Sequence, residues 1–366
     1  MTNDILIIGG ARPNFMKIAP LIKEFKKQKI RFKLIHTGQH YDYNMSKIFF
    51  DNLGIPKPDY FLNVGSGSHA IQTAKIMIEF EKVALKEKPK LVIVVGDVNS
   101  TIACALVAKK QFIELAHIEA GLRSFDFKMP EEINRKLTDQ IADYLFVTER
   151  SGLLNLENEG IDSSKVFFVG NIMIDNLIRN LEKARNNNYY KELDLFFDSY
   201  GLITIHRPSN VDNKRDLEKV VEILNYIQSK IKIVFPVHPR TQKNLEKFNL
   251  ENELNKSNII LIKPLGYLEF LNLMMNAKFI LTDSGGIQEE ASYLRIPILT
   301  LRKNTERPIT VEMGTNTLVG SDFNKLKMYF DEILSNSYKK GQQIEKWDGK
   351  TSQRIVNIIK DKVMQN

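Results

Sequence analysis

Short runs of aliphatic and β-branched residues recur along this chain, each separated from the next by a longer segment of helical period. Ile5-Leu6-Ile7-Ile8 precedes an apolar-periodic stretch from Phe15 to Lys27, and Phe32-Lys33-Leu34-Ile35 follows it. Leu91 to Val95, Leu115-Ala116-His117-Ile118, Tyr144 to Val147 and Val166 to Gly170 continue the rhythm. After the polar Ala184-Arg185-Asn186-Asn187-Asn188 a second series begins: Leu202 to Ile205, Ile233 to Pro236, Ile259 to Ile262, Phe279 to Thr282 and Ile298 to Thr300. Strands apolar on both faces that alternate with helices predict parallel sheets covered by helices on each side. The expected fold is α/β, with two doubly wound Rossmann-like domains facing a central cleft. The expected domains are 1–169, 170–350 and a C-terminal helix, 351–366, free to pack back on the first domain; a length of 366 residues suits two cores.

Composition narrows the function classes. With 43% apolar and 26% charged residues the chain is neither disordered nor fibrous. A net charge of +8 suits nucleic acid, acidic membranes or phosphorylated small molecules. The basic residues carry interleaved acids, as in Lys23-Glu24-Phe25-Lys26-Lys27, so no nucleic-acid partner is expected. The first apolar run is too short for a signal-peptide core and nothing approaches the ~18 apolar residues of a membrane helix, so a cytoplasmic protein without a membrane partner is expected. The single cysteine, Cys104, excludes an internal disulfide and reads as buried packing. No compact ligand spacing suggests a metal.

Ligands of such sheets sit beyond the carboxyl ends of the strands, where this chain places its unusual polar residues. After the first strand, Gly9-Gly10-Ala11-Arg12-Pro13-Asn14-Phe15-Met16-Lys17 combines a glycine turn, a helix start and two cations, Arg12 and Lys17: a phosphate site, or an ordinary βα turn. It lacks the G-x-G-x-x-G spacing, so a nicotinamide cofactor is not expected. Asp97 and Glu119 follow the next two central strands, as acid/base groups or as helix caps and ion-pair partners. Pro130-Glu131-Glu132 opens a helix on which Glu131 and Arg135 share a face, as a structural ion pair or as a carboxylate aimed at the cleft. His206, in Ile205-His206-Arg207-Pro208, is the best placed of the six histidines; His238 is similar but weaker.

The strongest element is Thr282-Asp283-Ser284-Gly285-Gly286-Ile287-Gln288-Glu289-Glu290. A strand stops, Ser284, Gly285 and Gly286 offer backbone N–H groups and a hydroxyl to a diphosphate, and Glu290 is spaced to reach a ribose diol. That combination points to a nucleotide sugar. Arg307, in Thr305-Glu306-Arg307-Pro308, adds a cation, and Phe270 is either a base-stacking face or core.

Together with Gly10-Ala11-Arg12-Pro13, Thr37-Gly38-Gln39-His40, Gly96-Asp97 and His117-Ile118-Glu119-Ala120-Gly121-Leu122-Arg123, these segments resemble, nearly end to end, the non-hydrolysing UDP-N-acetylglucosamine 2-epimerases of glycosyltransferase-B-like fold. The resemblance implies Asp97, Glu119, Glu131 and His206 as catalytic residues. It implies Arg12, Lys17, Arg135, Ser284, Gly285, Gly286, Glu290 and Arg307 around UDP, with Phe270 packed on uracil. It also implies a homodimer, no cofactor, and a UDP-N-acetylhexosamine partner whose product supplies surface polysaccharide synthesis.

The chain departs from the family at Asn14 and at Pro208-Ser209, where many bacterial members have Thr-Arg-Pro-Glu and His-Arg-Arg-Glu. In some relatives the second segment belongs to a site where the substrate is an allosteric activator, and that regulation is not carried over. Gly10-Ala11-Arg12-Pro13 and His36-Thr37-Gly38-Gln39-His40-Tyr41-Asp42 also resemble epimerases of a UDP-2,3-diacetamido glucuronic acid, the alternative substrate. A transferase of the same fold and a non-catalytic nucleotide-sugar sensor are the readings from other classes.

The chemistry is independent of the name. Inverting C2 of an N-acetylhexosamine removes a hydrogen that no carbonyl acidifies. With no nicotinamide fingerprint, elimination of UDP to a 2-acetamidoglucal and re-addition is the remaining route, and it needs acid/base groups on both sugar faces.

Overall fold

The computed structural model describes residues 5–38, 50, 53–254 and 258–364. These form two compact units, Met1–Asn176 with Glu345–Asn366, and Leu177–Ile344. The first holds β1 (Ile5–Gly9), β2 (Lys33–His36), β3 (Tyr60–Phe61), β4 (Leu91–Val95), β5 (Glu114–Ala120), β6 (Tyr144–Val147) and β7 (Val166–Phe168). They make one parallel sheet in the order β3-β2-β1-β4-β5-β6-β7, with Ile7 beside both Leu34 and Ile93. Every residue of β1 and β4 is buried, as the unbroken apolar runs require of strands covered on both faces.

On one face lie the helices His69–Glu87 and Asn99–Lys110. Ala103, Cys104, Ala105 and Ala108 are fully buried in the second, and their small side chains let it approach the first closely. Burial pushes the Cys104 thiol well above its ordinary value, which fits packing rather than reactivity. The helix Thr351–Ile359 belongs to the first unit and packs on Arg12–Lys27. The buried Asp175 carboxylate fixes its start, accepting from Thr351 N at 3.0 Å and from Ser352 N and Oγ, both at 2.7 Å. That anchor draws the segment from Glu345 onward into the first unit. The units therefore divide within the helix Ile172–Asn187 and again at Ile344, rather than at the expected 169 and 350.

The second unit holds β8 (Tyr200–Thr204), β9 (Lys232–Pro236), β10 (Ile259–Ile262), β11 (Phe279–Thr282), β12 (Ile298–Thr300) and β13 (Asn316–Leu318), parallel in the order β10-β9-β8-β11-β12-β13. Ile203, Phe235, Phe279, Leu281 and Phe330 centre its core. Gly201 has no side chain because the Phe279 ring lies 2.3 Å from where a Cβ would stand. The edge strands β3 and β13 were not expected. The first is two residues long, and the second, Asn316-Thr317-Leu318, carries two polar residues.

In each sheet the strand order reverses about a central pair, β1/β4 and β8/β11. Such switch points are where loops diverge and leave a crevice at the carboxyl ends. Gly10 and Gly96-Asp97 flank the first, and His206 and Asp283 the second. Among the described residues no helix is long and apolar enough to cross a membrane, and no group of His, Cys, Asp and Glu is arranged to hold a metal.

Candidate active site

At the first switch point Asn14 ties the turn together. Its Oδ1 accepts from Ala11 N at 2.9 Å and Gly10 N at 3.3 Å, while its Nδ2 donates to Val95 O at 2.9 Å. One helical turn on, the buried Lys17 ammonium pairs with the buried Glu119 carboxylate. Glu119 holds φ at +72°, in the left-handed region, where the β5–β6 register shifts between Ile118 and Ala120. A non-glycine residue in that region costs on the order of 1–3 kcal/mol and clusters at functional sites. The irregularity re-aims the Glu119 side chain out of the sheet. Gly96, at φ +68°, leaves room for it: a Cβ there would lie 3.4 Å from both Glu119 Oε2 and Lys17 Nζ.

Asp97 follows directly. Arg135 Nη2 donates to Asp97 Oδ2 at 2.5 Å and Arg135 Nη1 to Glu132 Oε2 at 2.6 Å. Of the two readings of Glu131, the ion pair with Arg135 does not form; the guanidinium turns to Asp97 and the fully buried Glu132 instead. Glu132 also accepts from Ser124 N, Ser124 Oγ and Phe125 N, each at 2.9 Å, fixing the loop ahead of the helix Pro130–Ile141. Glu131 is half-buried in the first turn, with no hydrogen-bond or ion-pair partner among the described residues. Beneath, His117 Nδ1 meets Asp139 Oδ1 at 2.6 Å and His117 Nε2 meets Gly96 O at 2.8 Å, while Asp139 Oδ2 accepts from Gly121 N at 3.0 Å. Burial alone would raise the Asp139 carboxyl, but His117, Arg123 and the Gly121 N–H together hold it below its ordinary value.

At the second switch point the fully buried Asp283 gathers the loop after β8. It accepts from His206 N at 3.0 Å, Arg207 N at 2.8 Å and Asn210 Nδ2 at 2.9 Å, and meets His206 Nδ1 at 3.1 Å. Burial pushes this carboxyl up, yet His206, the Arg207 N–H and Asn210 outweigh it and hold it low. The half-exposed His206 ring is thereby oriented, and His238 lies beside it with ring centres 5.2 Å apart. Burial and the charges of His206 and Arg240 lower the His238 imidazole.

Ser284 then caps the helix Gly285–Tyr293 without a side-chain cap bond, so the donors of the first turn are left open to an anion. Gly286 has nothing within 4 Å of a built Cβ, whereas at Gly285 Glu306 Oε1 comes within 2.9 Å. Arg307 is buried and pairs with Glu289 at 2.8 Å and Glu306 at 2.9 Å. Phe270, partly buried, lies one turn after Tyr267 on the helix Tyr267–Asn276, and the Tyr267 hydroxyl donates to Glu290 Oε1 at 2.7 Å.

A profile of UDP-N-acetylglucosamine 2-epimerase matches residues 23–360. The chain is 50% identical over 363 residues to the UDP-N-acetylglucosamine 2-epimerase of Methanocaldococcus jannaschii, covering 96% of this chain and 98% of that one. The chain belongs to this family. The crystal structure of UDP-GlcNAc 2-epimerase from M. jannaschii in complex with UDP-GlcNAc and UDP superposes with a TM-score of 0.90 at 48% identity, over 98% of this chain and 99% of the other. The UDP-2,3-diacetamido-2,3-dideoxy-D-glucuronate 2-epimerase of Pseudomonas aeruginosa is 44% identical over 321 residues, 87% of this chain and 88% of its own. The two Rossmann-like units are those of the glycosyltransferase-B-like fold that the family shares, and this is a family of enzymes, isomerases acting on nucleotide sugars.

Within the family frame, the first unit brings together Lys17, Asp97, Glu119 and Arg135, with Glu131 on the next helix. The second brings His206 to Asp283, sets Arg307 beside the Ser284-Gly285-Gly286 helix start and Glu290 against Tyr267, and leaves Phe270 on the Tyr267 helix with no contact to that helix start shown among the described residues. Arg12 opens its helix, but its side chain, like residues 39–42 of the Gln39-His40-Tyr41-Asp42 segment, lies outside the described residues. Sequence reasoning missed Asn14, Glu132, the His117–Asp139 pair, Asp283 and Tyr267. Asp283 was visible as the polar residue between strand and glycine turn; Tyr267 carried no signal, because its partner is 23 residues away.

Proposed function

We propose that the chain interconverts UDP-N-acetylglucosamine and UDP-N-acetylmannosamine by eliminating UDP to 2-acetamidoglucal and adding it back. The observation that carries this reading is the carboxylate set of the first unit. Glu119 and Asp97 are each set against a cation, at adjacent strand ends, with Glu131, unpaired among the described residues, on the helix that follows. A sensor has no use for three such groups. Resemblance at 50% identity to the M. jannaschii enzyme supports the same substrate.

In the forward direction the glycosidic C1–O bond breaks with its electron pair leaving on the UDP oxygen. One carboxylate takes the C2 proton and the C1=C2 double bond forms. Rotation or repositioning of the glucal then lets a second group protonate C2 from the opposite face as the UDP oxygen returns to C1. The open N–H groups of the Ser284 turn stabilise the departing diphosphate, with Arg307 held beside them by Glu289 and Glu306. His206, held by Asp283, is the group assigned nearest the leaving oxygen.

The P. aeruginosa relative supports a second substrate, the diacetamido glucuronate. Comparing kcat/KM for the two nucleotide sugars decides between them: a preference for UDP-N-acetylglucosamine is expected, and turnover of the uronate alone overturns it. The product serves surface polysaccharide synthesis in this reading. The chain forms a homodimer, supported by Ile71, Ile78 and Leu85, exposed at seven-residue spacing on one helix. Light scattering of the intact chain checks that assembly, and a single-chain mass contradicts it.

A further inference from the structure

Glu290 is 4% exposed, and among the described residues its one hydrogen-bond partner is the buried Tyr267, whose hydroxyl donates to Oε1 at 2.7 Å. The other charged groups around it offer no relief. Glu289 precedes it on the same helix, and Arg307, from the loop after β12, is already shared between Glu289 and Glu306. A buried carboxylate with one neutral donor and a second carboxylate beside it is an expensive charge, so these surroundings favour the neutral acid. Consistent with this, burial, opposed by the Tyr267 bond and reinforced by Glu289, pushes the carboxyl up to about 7. A vicinal diol supplies the missing compensation, two O–H donors that an ionised carboxylate accepts together and that a carboxylic acid, itself a donor, accepts poorly.

We propose that Tyr267 and Glu290 form a proton-coupled diol clamp, in which seating a ribose diol on Glu290 expels one proton while the Tyr267 hydroxyl holds the carboxylate in line. The inference rests on the nucleotide-sugar reading above and adds Tyr267 as a positioning residue. The proton leaves the Glu290 oxygen for solvent, and the two ribose hydroxyls keep theirs. Nucleotide affinity then rises with pH until Glu290 is ionised in the empty protein, and the clamp discriminates against 2′-deoxyribose.

Calorimetric titration of the intact chain with UDP-glucose tests it, because that diphosphate diester has no group titrating near neutrality. Runs in buffers of different ionisation enthalpy count protons. Release is expected to approach one proton per ligand in mildly acidic buffer and to fall away as pH rises above neutrality. Tyr267→Phe should move the midpoint upward, since the bond that favours the carboxylate is gone, and Glu290→Gln should abolish release. Binding without proton release across this range overturns the clamp while leaving the nucleotide-sugar reading intact, and this arm needs no variant. An unmoved midpoint in a folded Tyr267→Phe removes Tyr267 from the proposal. Failure of the wild-type chain to bind UDP-glucose, UDP and UDP-N-acetylglucosamine alike overturns the nucleotide-sugar reading and the clamp together.

Discussion

Asp97 and Asp283 are both carboxylates just past a central strand, yet their surroundings give them different work. Asp97 keeps about a third of its side chain exposed and faces one guanidinium, so it can take or give a proton at a substrate. If Asp97 serves in the proposed acid/base set, replacing it by Asn removes that group while keeping a hydrogen-bond acceptor; kcat is expected to fall by about 10²–10⁴, with the thermal midpoint near that of wild type. Asp283 is fully buried and accepts from two backbone N–H groups, an amide and an imidazole. Its carboxyl is lower in the folded chain than in the unfolded one, so the stability it contributes is present above the ordinary carboxylate range and is lost as pH falls through the folded value. Asp283→Asn is therefore expected to cost about 2–3 kcal/mol near neutrality, a deficit that shrinks in acid, measurable by urea unfolding at two pH values.

Two glycines at element junctions separate structure from function. Gly121 holds φ at +80°, and a Cβ there would stand 2.4 Å from Gly152 O, so Gly121→Ala should destabilise the first unit by about 3 kcal/mol or more. Gly286 has open space around a built Cβ and no positive φ. Gly286→Ala keeps its N–H but sets a methyl in that open space, so it is expected to leave the melting temperature unchanged and to weaken UDP binding about tenfold by blocking close approach; an equal loss of stability in both variants would contradict this division. The same distinction explains what was legible in the sequence. β4, β6, β10, β11 and β12 end where the sequence runs predict, because strands in a parallel sheet covered by helices are written as short, unbroken, mainly apolar runs. β3 and β13 lie at sheet edges, where neighbours rather than composition decide pairing. The glycine turns and strand-end acids were equally legible, since a topological switch point demands them there. The partners that orient them were not: Arg135 turning from Glu131 to Asp97, or Tyr267 meeting Glu290, are decided by side-chain packing between distant segments.

Across the whole molecule, the residues proposed for anion recognition and those proposed for acid/base chemistry belong to different compact units. The glycine turn, Arg307 and Glu290 belong to the second, and Asp97, Glu119 and Glu131 to the first. In the proposed elimination UDP is retained while a proton is moved at C2, and that proton is exchanged with solvent between removal and return. Proton NMR of the intact chain in heavy water with UDP-N-acetylglucosamine, and no added cofactor, measures that step. The account predicts UDP-N-acetylmannosamine carrying deuterium at C2, together with deuterium washed into the remaining UDP-N-acetylglucosamine. UDP-N-acetylmannosamine formed with its C2 hydrogen retained would contradict it.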